Sequence, residues 1–177
     1  NNGYGVNIYQ IATSDPTRTI TWVGPHGPLG IPITMRVPTD ARNGSTEDSQ
    51  IILYDPDTKT AHEFYSWRPG TAPKASIRRQ WSTEGLGHTR PGGARVGVSA
   101  SGVAGFHGLL RGFEVNTPGY KIQHALQGAI PMRTGLRFPS MGNGDIVWPA
   151  STRDGYSESQ WQGNIPYGAL FALPASV

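Results

Sequence analysis

Gln50-Ile-Ile-Leu-Tyr-Asp-Pro-Asp-Thr-Lys-Thr-Ala-His-Glu-Phe-Tyr-Ser-Trp67 decides the fold class of this chain. Two runs of branched and aromatic residues, 50–54 and 60–67, flank Asp55-Pro-Asp-Thr-Lys59. Branched and aromatic side chains fit a pleated backbone, and the Asp-Pro-Asp connection supplies turn chemistry, so the stretch reads as a β-hairpin.

Upstream, residues 6–12 and 19–23 are β-prone and are split by the turn Ser14-Asp15-Pro16. Residues 24–30 form a loop by their Gly and Pro content. Residues 31–37 alternate Ile31, Ile33, Met35 and Val37 against Pro32, Thr34 and Arg36, the period of a half-buried strand. Downstream, residues 68–101 are rich in Gly, Arg, Ser and Pro and read as one long irregular segment. Residues 104–115 hold a short helix, with Leu109, Leu110 and Phe113 at helical spacing. Residues 168–174 read as an apolar strand.

Residues 119–131 admit two readings. With period two, Ile122, His124, Leu126 and Ile130 share one face. With period 3.6, Ile122, Ala125, Leu126 and Ala129 make a helical stripe that leaves His124 off it. The flanking Pro and Gly residues and the lack of an N-cap favour the strand, with His124 facing inward.

Composition supports the same class. The chain has 177 residues, with Gly 24, Pro 15, 36% hydrophobic and only 15% charged residues. Few charges with many turn formers and aromatics is an all-β profile, and this length suits one domain spanning 1–177. The expectation is a mostly β, antiparallel sandwich or jelly roll with one short helix and long Gly/Pro-rich loops. The net charge of +3 comes from scattered basic residues, without the clustering that nucleic-acid binding requires. A few arginines gathered in a groove for an acidic polymer fit the same count. With no cysteine there is no disulfide, thiolate metal site or cysteine nucleophile. No apolar run approaches the ~20 residues of a membrane helix. The polar start, Asn1-Asn2-Gly3-Tyr4-Gly5, reads as that of a processed, exported protein.

Several stretches then fall into a recognisable order. They are Leu53-Tyr-Asp-Pro-Asp57, His62-Glu-Phe-Tyr65, residues 99–114, His124-Ala-Leu126, Val147-Trp-Pro-Ala150 and Ile165-Pro-Tyr-Gly-Ala-Leu-Phe171. Together they resemble a group of secreted bacterial proteins with a "GLP…GL…R..E…G.I.HAL…VWPA" pattern and a later "PMG.R" strand. The resemblance spans roughly residues 30–173. His124 matches the histidine of "HAL", and Trp148-Pro149 the Trp-Pro pair. The chain departs at Gly105-Phe-His107, where "GLP" is usual, and at Ile165-Pro-Tyr167, where "PPM" is usual, so His107 lacks the pattern's support. The resemblance implies export and a polysaccharide partner rather than a defined reaction. It also implies that relatives continue past the position of Val177.

Chemistry narrows the candidates. Elimination on an acidic polysaccharide needs a cation for the uronate carboxylate, a base for the C5 proton and an acid for the leaving oxygen. Arg95, Arg111, Gln123, His124 and Tyr167 supply those types, with His124, Arg95 and Tyr167 as the catalytic set and Arg111 and Gln123 as substrate contacts. Hydrolysis needs two carboxylates about 5–9 Å apart, for which Glu63, Glu114, Asp145 and Asp154 are available. Trp81 and Trp161, both in polar surroundings, are expected to be exposed and to stack on sugar rings. Trp67 and Trp148 are further candidates for stacking. His26, His62, His88, His107 and His124 lack metal-ligand spacing, so neither a metal nor a cofactor is expected. Asp55-Pro-Asp57 lacks the spacing of a calcium loop. The rival to an enzyme is a non-catalytic surface or filament subunit, or a carbohydrate-binding module.

Overall fold

The computed structural model describes residues 6–26, 30–44, 48–85, 95–106, 108–128, 146–153 and 165–171. Seven strands occur among them: β1 Asn7–Gln10, β2 Thr17–Trp22, β3 Ile33–Arg36, β4 Ile51–Asp55, β5 Thr60–Tyr65, β6 Lys74–Ala75 and β7 Ile77–Ser82. One short helix follows, α1 Gly112–Asn116. The protein is mostly β, with one sheet ordered β1-β4-β5-β7 and a second ordered β3-β2-β6.

The hairpin is the centre of the first sheet. β4 and β5 pair antiparallel from Ile51↔Phe64 to Asp55↔Thr60, and β7 adds to β5 from Thr60↔Ser82 to Tyr65↔Ile77. In the turn, the Asp57 N–H donates to Asp55 Oδ1 at 3.0 Å, and Arg36 donates to Asp57 Oδ2 at 2.8 Å. These acidic side chains thus brace a turn against β3.

Alternation divides the hairpin between two cores. Ile51, Leu53 and Phe64 face the second sheet and bury with Ile11, Ile20, Ile31, Val37, Trp67 and Ala75. Ile52, Ala61 and Trp81 face the other way and pack with Ala104, Val96 and Phe106 of the 95–106 segment. The first sheet is therefore covered on both faces, which is why β4 reads as a continuous apolar run rather than an alternating one.

Four expectations are corrected. Pairing is mixed rather than antiparallel: β1 runs parallel to β4 and β2 parallel to β6. The chain leaves β1 to build β2 and β3 in the other sheet before returning as β4, and such a crossover permits parallel neighbours.

The 68–101 segment is not irregular throughout, because it contains β6 and β7. Arg78, Arg79, Gln80 and Ser82 hide β7, which is specified by its ladder with β5. Residues 119–128 form no strand, and Ile122 and Leu126 are exposed. Two-residue alternation shows which side chains would share a face but supplies no neighbour for the ladder. Here the backbone ties are Tyr120 N–H to Thr117 O and Gln127 N–H to Gly108 O. Likewise, 168–171 is not a strand; Ile146↔Tyr167 is an isolated parallel bridge, and Leu170 and Phe171 are exposed. Residues 129–131 and 172–174 of these two stretches lie outside the described residues.

The predicted helix is present only as α1. Gly108 and Gly112 weaken its first half, and Ala104 is buried against the first sheet instead. No helix among the described residues is long and apolar enough to cross a membrane.

Candidate functional site

A buried carboxylate organises one side of the first sheet. Glu63 lies on the Trp81 face of β5 and is 1% exposed. Oε1 accepts from the indole N–H of Trp81 at 2.9 Å and the backbone N–H of Gly105 at 2.7 Å. Oε2 accepts from the Val98 N–H at 3.0 Å. The carboxylate thus fastens both ends of the 95–106 segment to the sheet. Burial raises the pKa of its carboxyl, against the opposing pull of these donors.

Trp81, expected to be exposed, is 7% exposed because its indole is the donor to this carboxylate. A polar sequence neighbourhood does not reveal a buried acceptor on the adjacent strand.

Beyond this cover, residues distant in sequence meet in two places. In the first, Glu114 Oε2 accepts from the Arg111 backbone N–H at 2.8 Å, closing the start of α1. Glu114 Oε1 lies 2.8 Å from Nε2 of His124, and the two side chains are 1% and 22% exposed. The Arg111 N–H lowers the Glu114 pKa most, with His124 adding to the effect. Nδ1 of His124 lies 3.0 Å from the carbonyl oxygen of Ala125. The Glu114 carboxylate fixes the orientation of the ring through Nε2. His124 therefore sits on a carboxylate beside α1, not on the inner face of a strand.

In the second place, the Val147 N–H donates to Tyr167 O at 2.8 Å, and the Ser151 N–H donates to Ser101 O at 2.8 Å. Gly168, at φ 85°, fits against the Val147 carbonyl and Ala150 where no Cβ could. Residues 146–151 and 165–168 are thereby joined to each other and, through Ser151, to Ser101 in the middle of the 95–106 segment.

The remaining candidates have partners of their own. Arg95 donates from Nη2 to Ser99 O at 3.2 Å and Ala100 O at 3.3 Å. Tyr167 sits on the bridge with Ile146. Arg111 and Gln123 are exposed, and the Gln123 amide donates to Lys121 O at 2.8 Å.

Trp67 is buried, its indole N–H donating to Ala41 O at 3.4 Å. Trp148 is exposed. Trp161, His107, Asp145 and Asp154 lie outside the described residues. Of the carboxylates proposed for hydrolysis, Glu63 is sealed under its cover and Glu114 is held by α1 and His124. Among the described residues no three His, Cys, Asp or Glu side chains cluster as metal ligands.

Sequence reasoning missed two exposed rings. Phe113 on α1 and Tyr120 after it meet edge to face, 5.5 Å between centroids, and are 53% and 39% exposed. Their seven-residue separation hides the contact, which requires the turn at Pro118-Gly119. No family model matches the chain, and neither a curated protein nor a solved structure gives a significant match.

Proposed function

We propose that this chain is an exported, non-catalytic β-sandwich module that binds extracellular polysaccharide. The observation that carries the reading is the exposed Phe113–Tyr120 ring pair. Aromatic faces stack on the C–H faces of sugars, and a pre-set edge-to-face pair loses little freedom on binding. Exposed Arg111, Lys121 and Gln123 flank the rings and offer donors to hydroxyl groups. The polysaccharide class comes from the resemblance of residues 30–173 to secreted bacterial proteins. The binding reading is preferred to hydrolysis because both described candidate glutamates are committed to internal hydrogen bonds.

Calorimetric titration with neutral and uronate glycans tests this reading. Binding to at least one glycan without release of reducing or unsaturated ends is expected. Tyr120→Ala should weaken it about 3- to 10-fold, the scale of one aromatic contact, with unfolding unchanged. Product formation from any glycan overturns the non-catalytic reading.

A second reading has its own support. Leu110, Val115, Ile122 and Leu126 are also exposed along this segment, as on a subunit that assembles through it. Concentration-dependent oligomers by light scattering, with no glycan bound, would favour that reading.

A further inference from the structure

Arg79 and Arg95 are two cations brought to one face of the first sheet. The register sets Arg79 opposite Glu63, and directly paired residues project from the same face. Arg95 belongs to the segment that covers this face. Its neighbour Val96 packs with Ile52, Ala61 and Trp81, and Val98 is tied to Glu63. Arg79 and the covering segment that holds Arg95 thus share one face of the sheet. Burial lowers the Arg79 pKa first, and the charge of Arg95 lowers it further.

Like charges held together in a partly buried place call for an anion. The oxygens of Glu63 are already engaged by Trp81, Val98 and Gly105. The salt bridges among the described residues include neither arginine.

Donor capacity is also left over. Arg79 Nη1 donates to Arg78 O at 3.3 Å, and Arg95 Nη2 is shared between two carbonyls. Arg95 Nε and Ser151 Oγ are buried without a hydrogen-bond partner. These two side chains are neighbours: a Cβ placed on Gly102 would touch both Ser151 Oγ and Arg95 Cγ. Ser151 is held there by its N–H bond to Ser101 O. A guanidinium fork and a hydroxyl match the oxygens of a carboxylate or sulfate, whereas a neutral sugar leaves both charges uncompensated.

We infer that Arg79, Arg95 and Ser151 form a binding site for an oxyanion borne by the polysaccharide, a uronate carboxylate or a sulfate ester. The polymer as carrier rests on the proposed function; the anion site does not.

The test titrates wild type, Arg79→Gln, Arg95→Gln and the control Lys59→Gln with polygalacturonate, dextran sulfate and neutral dextran. It also compares thermal unfolding in sodium sulfate and sodium acetate with sodium chloride of equal ionic strength. One charged polymer should bind at least about 10-fold more tightly than dextran, and each site variant should lose about 10-fold while the control loses nothing. The preferred charged polymer identifies the anion's source. Sulfate or acetate should raise the Tm of wild type but not of Arg95→Gln.

Equal binding of charged and neutral polymers, or full affinity in both arginine variants, overturns the anion site and leaves the polysaccharide reading standing. Arginine-dependent stabilisation by the small anion without binding of any polymer keeps the site and removes that reading. Neither binding nor stabilisation overturns both. If Arg95→Gln does not fold, Arg79→Gln and Ser151→Ala carry the same comparison.

Discussion

Glu63 and His62 are adjacent on β5, point to opposite faces and respond to pH with opposite signs. Glu63→Gln keeps the shape of the side chain but replaces an acceptor oxygen with an NH2 group amid N–H donors. It should destabilise the fold by about 3 kcal/mol, read from urea unfolding. His62 is held neutral: burial, then the nearby charge of Arg78, lowers its pKa from 6.5 to about 4. Between those values the unfolded chain binds a proton and the folded chain does not. The stability contributed by this group is full above about pH 6.5 and falls toward pH 4 by about 3 kcal/mol. The Glu63 pKa is raised, so its contribution declines as pH increases instead. Subtracting the stability profile of His62→Gln from that of wild type therefore isolates the imidazole. A difference that stays flat between pH 7 and 4.5 would contradict the assignment. Sequence made Glu63 a candidate by type, but its structural duty depends on three donors from other segments.

At the scale of elements, β4 and β5 were legible because two β-prone runs carry their own turn. β7 was not, since Ile77-Arg-Arg-Gln-Trp-Ser82 has too little apolar pattern without the edge of β5. The converse error at 119–128 has the same cause: an alternating pattern without a partner strand does not become one. The join between 146–151 and 165–168 depends on Gly168, where a left-handed φ and close approach to the Val147 carbonyl both exclude a side chain. Gly168→Ala should destabilise the protein by about 3 kcal/mol or more. Its first sign should be faster proteolysis within this C-terminal part. Gly112→Ala, with open space for a Cβ, should instead be neutral or stabilise α1 by up to about 1 kcal/mol.

For the whole molecule, two cores on opposite faces of one sheet make β4 and β5 the structural centre. Their amides should exchange most slowly, at the rate set by global unfolding. Glu63→Gln should release protection across 95–106 while β2 and β3 keep theirs, as hydrogen exchange can check. Uniform loss across both sheets would mean that the cover is not a separable layer. By itself, the sequence determined the β class, the hairpin and its turn, because branched and aromatic runs with local turn residues act between near neighbours. Only the tertiary structure decided the mixed pairing, the burial of Trp81 on Glu63, the place of His124 on Glu114 and the approach of Arg79 to Arg95. Each depends on groups far apart in the chain, whose environment exists only after the sheets and their cover have packed.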